Sequence, residues 1–244
     1  MGAIIKTSLL GLFFGTFGTT LGGLIGTIFK NPSNKFLSFI LSLASGLMIA
    51  VVSFELVPEA SEISGIGSTI IGVILGIIVM IICDLIVKSK CENKKLKNNT
   101  LLKTGIVVSI GLAIHNIPEG LAIGTGFESS IKLGYSLAIA IAIHDIPEGI
   151  SMAAPMKKSG LKSGKILLYV ILSGITTGIG AFVGAIIGSI SESIIAICLS
   201  FAAGAMLYIV SGELTPESNR LYSGRMASIG NILGFLLGYI ATQI

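Results

Sequence analysis

Residues 41–59 read LSLASGLMIAVVSFELVPE, and a second copy of this segment, LSFAAGAMLYIVSGELTPE, follows at residues 199–217. The copies lie 158 positions apart, and eleven of the twenty positions from 41 to 60 match their counterparts without a gap. Gly22 and Gly180 keep the same offset. Glycine- and isoleucine-rich segments match one another easily by chance, but the shared Glu and Pro positions argue against that explanation. The sequence therefore predicts an internal repeat.

The composition around this repeat is that of a membrane protein. Of the 244 residues, 52% are hydrophobic and only 11% are charged, whereas about a quarter of a soluble domain is charged. A water-exposed surface cannot be built from such a chain, and disorder or a collagen-like structure is equally excluded. The three cysteines form no CxxC pair, so they indicate neither a zinc knuckle nor a disulfide framework. The sequence predicts an all-α integral membrane protein.

Eight stretches reach the roughly 20 apolar residues that a transmembrane helix needs. They share short, polar connections, and no segment between them is long enough for a soluble domain. We therefore expect one polytopic membrane domain over residues 1–244, with residues 88–101 as a cytoplasmic loop. The first stretch lacks a small-residue cleavage signal, so we expect it to be retained. The predicted spans are residues 6–29, 37–58, 66–87, 102–125, 132–155, 166–189, 193–216 and 225–244.

The basic residues predict how these spans are oriented. With the N-terminus outside, 14 of the 16 Lys and Arg residues fall on the cytoplasmic side, and only Lys6 and Lys132 lie outside. The net charge of +4 is then a topology signal, and no nucleic-acid partner is indicated. We expect a multi-pass protein of the cell membrane, embedded in its lipid bilayer, with both termini extracytoplasmic.

The number of membrane crossings between the two copies determines their relative orientation. Spans 1–3 return as spans 6–8, and five crossings separate each span from its copy, so the copies point in opposite directions. Such an inverted repeat, here arranged 3+2+3, is typical of secondary transporters, because two related halves create two alternately open states around a central site.

Spans 4 and 5, between the copies, carry two nearly identical polar motifs. Residues 113–120 read AIHNIPEG and residues 142–149 read AIHDIPEG. In each motif His and Glu are four residues apart and share one helix face, while Asn116 or Asp145 flanks them. Each Pro frees a backbone carbonyl that must be satisfied within the protein or a cavity. Because consecutive spans run antiparallel, we expect the two motifs to face each other near mid-membrane.

The charges of these motifs predict a cation. Glu119, Asp145 and Glu148 lie deep in the spans without a Lys or Arg at that depth, and each ionised acid there costs about 2.5–3.5 kcal/mol. Protons or a bound cation must supply the counter-charge, and two imidazoles favour a transition metal over Na⁺ or Ca²⁺. A purely structural role, hydrogen-bonding the helices together, is the alternative.

With these two motifs, the chain resembles the ZIP family of divalent metal transporters. The resemblance extends over all eight spans and is strongest to the short prokaryotic, GufA-like branch. The resemblance implies a binuclear metal site. One metal would be held by Met48, His115, Glu119, His144 and Glu148. The second would be held by Asn116 and Asp145, with Glu119 and Glu148 bridging.

The chain also departs from the family pattern. Some members offer a Glu on span 6 to the second metal, where this chain has Thr177. The His residues that can flank the acids near the end of span 7 are replaced here, so Glu213 and Glu217 alone remain to guide an exiting cation. A solvated helix end is the alternative for these two acids. At the outer end of span 2, Glu55, Glu59 and Glu62 are expected to form an acidic mouth that attracts cations. A solvated helix end is the alternative.

Together these observations predict a homodimeric secondary transporter that imports Zn²⁺, and also Fe²⁺, Mn²⁺ or Cd²⁺, into the cytoplasm. The metal is the transported substrate, and no cofactor is expected. The resemblance implies an elevator-like motion of spans 1, 4, 5 and 6 past spans 2, 3, 7 and 8. An intramembrane metal-dependent hydrolase using the same ligands is the alternative, although the chain has no HExxH motif. A proton channel or a purely structural membrane protein also remains open.

Overall fold

The structure is a computed structural model that describes residues 2–28, 32–93 and 100–243. Within those ranges, the side chains of residue 3 and of residues 87–93 and 100–108 are not described. The described chain is helical throughout, with short turns between the helices. The α-helices are α1 Gly2–Ile28, α2 Asn34–Val51, α3 Val57–Asn93, α4 Thr100–Ser129, α5 Ile131–Lys158, α6 Ser163–Gly188, α7 Glu192–Ile209, α8 Thr215–Leu221 and α9 Met226–Ala241.

Five stretches of the described chain are long and apolar enough to cross a membrane, and Met226–Ala241 is a shorter apolar helix. The longest stretch, Asn34–Ile86, has 53 residues and is broken at Gly65, whose φ of 76° and ψ of 166° are not helical. This break lies where the sequence predicted a connection between spans 2 and 3. Helix α3 continues to Asn93 and α4 begins at Thr100, so both ends of the predicted loop at 88–101 are helical. Residues 94–99 of that loop lie outside the described residues.

Two π-helical turns, which were not predicted from the sequence, follow α2 and α7. They span Val52–Leu56 and Val210–Leu214, so they lie 158 residues apart, as the repeated segments do. In each, the N–H that follows the turn bonds to a carbonyl five residues earlier, Val57 to Val52 in the first copy. A Pro follows two residues after each turn, at Pro58 and Pro216. Because Pro cannot donate a backbone N–H and its ring crowds the carbonyl four residues earlier, the preceding turn widens.

The helices pack in two groups. Helices α1, α4, α5 and α6 form the first group, in which α1 packs on α5 and α6, and α4 packs on α5 and α6. In the second group α2 packs on α9 and α3 packs on α7. Helices α4 and α5 also contact α7 and α2, respectively, so the two groups meet there. The first group contains both HxxPEG motifs.

Glycines bring the backbones together at equivalent places in both groups. In the second group, a Cβ at Gly46 would overlap the carbonyl oxygen of Asn231 on α9, and one at Gly204 would overlap that of Val73 on α3. Small residues permit such backbone approach within a bilayer, where packing rather than hydrophobicity drives helix association. The first group follows the same rule, with Gly22 against Ile146 and Gly180 against Ile117.

Candidate metal centre

The centre is built where α4 and α5 lie side by side. Both HxxPEG motifs remain helical through Pro118 and Pro147, which lie inside their helices. The prediction that the motifs face each other is confirmed for three members. One ligand atom each from Glu119, His144 and Glu148 lies within 4.8 Å of the others.

The shortest contact in this cluster joins the two helices. His144 Nε2 lies 2.9 Å from Glu119 Oε1, at hydrogen-bond distance. Glu148 is one helical turn after His144 and shares its face of α5. A carboxylate from α4 and an imidazole and a carboxylate from α5 therefore converge from opposite sides. Oxygen and imidazole-nitrogen donors in this arrangement suit Zn²⁺.

Every predicted ligand in the two motifs is buried. Glu119, His144, Glu148, Asp145 and Asn116 are fully inaccessible, and His115 is 2% exposed. Many of their polar atoms have no hydrogen-bond partner among the described residues, including both oxygens of Asp145 and Glu148 and both ring nitrogens of His115. Unpaired buried polar atoms are costly. Their concentration at one place is the pattern expected of groups that bind an ion.

No described Lys or Arg side chain balances the charge of the carboxylates. In the part of the chain that the structure describes, no Lys or Arg forms an ion pair with Glu119, Asp145 or Glu148. His144 Nε2 lies 3.6 Å from Asp145 Oδ1, besides its contact with Glu119. A divalent cation would supply the missing positive charge.

The flanking residues differ in their surroundings. The Asn116 side-chain nitrogen donates a hydrogen bond to the main-chain carbonyl of Ser173 on α6, at 3.0 Å. Its oxygen, Asn116 Oδ1, is buried without a hydrogen-bond partner. Asp145, the equivalent residue on α5, accepts no hydrogen bond from the described residues.

Met48 and Thr177 lie on neighbouring helices. Met48 is fully buried in α2, which packs against α5. Thr177 is fully buried in α6 at a close approach of that helix to α1 and α4, where a Cβ at Gly15 or Gly120 would overlap it. The Thr177 hydroxyl oxygen has no hydrogen-bond partner among the described residues. The roles of Met48 and Thr177 as ligands stay predictions.

Two acids of the predicted mouth are held by hydroxyl groups. Ser136 donates a hydrogen bond to Glu55, and Ser129 donates one to Glu59. Glu55 lies in the first π-helical turn, is 8% exposed, and keeps its second carboxylate oxygen buried without a partner. These contacts connect the π-turn and α3 to α4 and α5, so they bridge the two helix groups.

The acids at the other π-turn are arranged differently. Glu213 is half-buried and close enough to interact electrostatically with His115 and Glu148. Glu217 instead forms a bidentate ion pair with Arg220 of its own helix, at 2.6 and 2.7 Å. Among the described residues, neither acid accepts a hydrogen bond from α4 or α5, in contrast to Glu55 and Glu59.

Sequence reasoning missed the hydroxyl-bearing partners, namely Ser129, Ser136 and Ser173. A single Ser in an apolar helix most often bonds its own backbone, so nothing in the pattern marks these three. The fold and centre together define a class, a helical membrane protein whose core holds a buried cluster of metal-type ligands.

Comparison with known proteins identifies the family. The family described as ZIP Zinc transporter matches residues 91–243. The zinc transporter ZupT of Clostridium perfringens is 32% identical, over 97% of this chain and 95% of the relative. ZupT of Streptococcus mutans is 30% identical over 96% and 94%. Human zinc transporter ZIP11 is 36% identical over 52% of this chain and 40% of its own length.

The chain therefore belongs to the ZIP family of zinc transporters. This confirms the resemblance seen in the motifs. As a member of a transporter family it is a multi-pass membrane protein and not an enzyme, so the hydrolase alternative has no support.

Proposed function

We propose that this protein is a secondary transporter that imports divalent transition metal ions, chiefly Zn²⁺, through the centre between α4 and α5. The observation that carries the proposal is the buried cluster of Glu119, His144 and Glu148 in a chain of the ZIP family. Fe²⁺, Mn²⁺ and Cd²⁺ are further substrates that such a donor set accepts. Metal is cargo here, and the chain needs no resident cofactor.

The centre holds two ions in this proposal. The first is bound by Glu119, His144 and Glu148 together with His115 and Met48. The second lies beside Asn116 and Asp145, and the two glutamates bridge. Thr177 offers only a neutral hydroxyl to this second ion, so the second ion is bound more weakly than the first. The unpartnered atoms of Asn116, Asp145 and Thr177 support the assignment.

The fold that serves this function has eight membrane spans. The stretch Asn34–Ile86 would measure roughly 80 Å as one helix, at about 1.5 Å per residue, against a hydrocarbon core of about 30 Å. The break at Gly65 supports two crossings there. The inverted repeat is supported by paired features 158 residues apart, the two π-turns and the close contacts of Gly46 and Gly204.

Alternation between outward- and inward-open states follows from the two helix groups. We assign α1, α4, α5 and α6 to the moving part and α2, α3, α7 and α9 to the scaffold. On the predicted outer side, the contacts of Glu55 with Ser136 and of Glu59 with Ser129 join these parts. Glu213 and Glu217 lack such contacts. This difference supports an outward-closed state, in which the ion leaves past Glu213 toward the cytoplasm.

The proposed localisation and membrane orientation are based on the sequence. The Lys and Arg distribution supports the cell membrane with both termini outside, and transport into the cytoplasm follows from that orientation. We further propose a homodimer in the lipid bilayer. Single-molecule photobleaching of the labelled protein in liposomes would test this, with two-step bleaching as the expected result.

The test of function is zinc uptake into proteoliposomes, with the parental protein beside Glu119→Gln. The substitution keeps the shape of the side chain and removes the charge of the carboxylate that faces both His144 and the second ion. We expect uptake by the parental protein and none above empty liposomes by the variant. Competition by unlabelled divalent metals would then rank the substrates.

A further inference from the structure

The two motifs differ at one polar position, Asn116 against Asp145, and the structure shows a physical reason for the difference. Asn116 faces α6, where the main-chain carbonyl of Ser173 lies 3.0 Å from its side-chain nitrogen and the Ser173 hydroxyl lies 3.4 Å away. A carbonyl can only accept a hydrogen bond. The group at position 116 must therefore donate.

The amide orientation follows from this contact. If the amide were reversed, Oδ1 would face the Ser173 carbonyl, oxygen against oxygen. In the observed orientation Oδ1 is buried and free of hydrogen bonds, on the same residue whose nitrogen is fixed. An amide oxygen with no other partner is available to a cation.

Close packing of α4 against α6 brings the two groups to this distance. A Cβ at Gly120 would overlap the Thr177 carbonyl oxygen, and one at Gly180 would overlap that of Ile117. These two glycines lie on the two sides of the same interface. The carbonyl of Ser173 also accepts a hydrogen bond from the Thr176 hydroxyl within its own helix, at 2.6 Å, which holds it in place.

Asp145, at the equivalent position on α5, has no such hydrogen bond among the described residues. The internal repeat pairs Ser173 with Gly15 on α1, whose main-chain carbonyl accepts a hydrogen bond from Thr19 of its own helix at 2.7 Å. Neither oxygen of Asp145 accepts a hydrogen bond from the described residues. A carboxylate at position 145 therefore offers both of its oxygens to an ion.

We infer that the main-chain carbonyl of Ser173 is a positioning group for the centre, because it holds the Asn116 amide nitrogen and so turns Oδ1 toward the transported ion. The inference rests on the proposed function and adds a residue to it. It also explains why α4 carries an amide at this position, although the two motifs are otherwise alike.

The test exchanges the two residues. The double variant Asn116→Asp/Asp145→Asn keeps the same donor atoms and net charge in the centre but places a carboxylate against the Ser173 carbonyl. We expect zinc uptake in proteoliposomes to show a KM raised about tenfold or more. We also expect purified protein to bind fewer zinc ions at equal concentration, with an unchanged gel-filtration profile. A KM and a zinc stoichiometry equal to those of the parental protein would overturn the inference.

Two further comparisons keep the test decisive. Ser173→Ala removes the hydroxyl but keeps the carbonyl, so we expect a change in KM of less than about threefold, and a tenfold loss would overturn the assignment to the carbonyl. If the double variant does not fold, the single variants Asn116→Asp and Asp145→Asn replace it. Asn116→Asp should then lose more zinc affinity than Asp145→Asn, although Asn116→Asp adds a negative charge. A larger loss for Asp145→Asn would overturn the inference.

Failure of the inference is separable from failure of the proposed function. If the parental protein takes up no more zinc than Glu119→Gln, the transport proposal is wrong whatever the exchange variant does. If the parental protein transports zinc and the exchange variant transports it equally well, only the role of Ser173 is wrong.

Discussion

Substituting Gly120 by Ala should disable transport by separating α4 from α6. A Cβ at this position would lie 2.8 Å from the Ala181 nitrogen, and even closer to the Thr177 carbonyl oxygen. Ordinary contacts begin near 3.4 Å, so the helices must separate by at least about 0.6 Å. The Asn116–Ser173 hydrogen bond of 3.0 Å would lengthen to at least about 3.6 Å, which is outside the hydrogen-bond range.

The energetic balance also indicates that Gly120→Ala destabilises the contact between α4 and α6. Overpacking of this kind costs about 1–3 kcal/mol, whereas Ala in place of Gly gains up to about 1 kcal/mol of helix propensity. Shifts of roughly 0.5 Å already impair a ligand constellation. We therefore expect the initial rate of zinc uptake in proteoliposomes to fall about tenfold or more.

The chain offers a matched control on the same helix. A Cβ added at Gly111 would meet no other atom within 4 Å, so Gly111→Ala changes helix propensity alone and should leave uptake unchanged. Melting temperatures of both purified variants would separate unfolding from a displaced centre. Uptake by Gly120→Ala within about twofold of the parental rate would refute the argument from close packing.

Three further predictions concern the ion path and its ligands. Zinc uptake should fall as external pH drops from about 7.5 to 5.5, because imidazole and carboxylate ligands must be deprotonated to bind; a flat or rising profile would count against the ligand set. Met48→Leu keeps the apolar volume but removes the soft sulfur. Cd²⁺ should therefore compete with Zn²⁺ for uptake less well than in the parental protein. An unchanged competition order would show that Met48 is not a ligand. Ser136→Ala deletes the hydrogen-bond donor to Glu55 and should open the outer path to solvent. Labelling of a cysteine introduced at position 59 would detect this opening. Equal labelling with and without Ser136 would show that its contact with Glu55 does not close the outer path.

The helices and the main cluster are predictable from the sequence because they depend on local pattern. Apolar length predicts the spans, and antiparallel neighbours bring Glu119 of α4 to His144 of α5. The absence of basic residues at that depth points to a cation before any distance is known. Such features need only the helical period and the membrane thickness.

Other features depend on how helices approach one another, and sequence patterns do not encode that. The contact of Asn116 with Ser173 arises because Gly120 and Gly180 let α4 and α6 come close, and no spacing along the chain links these residues. The hydroxyl partners of Glu55 and Glu59 lie near the α4–α5 turn, far away in sequence. The π-turns could have been suspected from Pro58 and Pro216, since each Pro disturbs the preceding helical turn.

The most direct test of the central claim is initial zinc uptake into proteoliposomes by the parental protein and by Glu119→Gln, reconstituted at equal density. We predict saturable uptake by the parental protein and a rate for Glu119→Gln equal to that of empty liposomes, with the variant correctly folded. Equal uptake by both proteins would contradict transport through this centre.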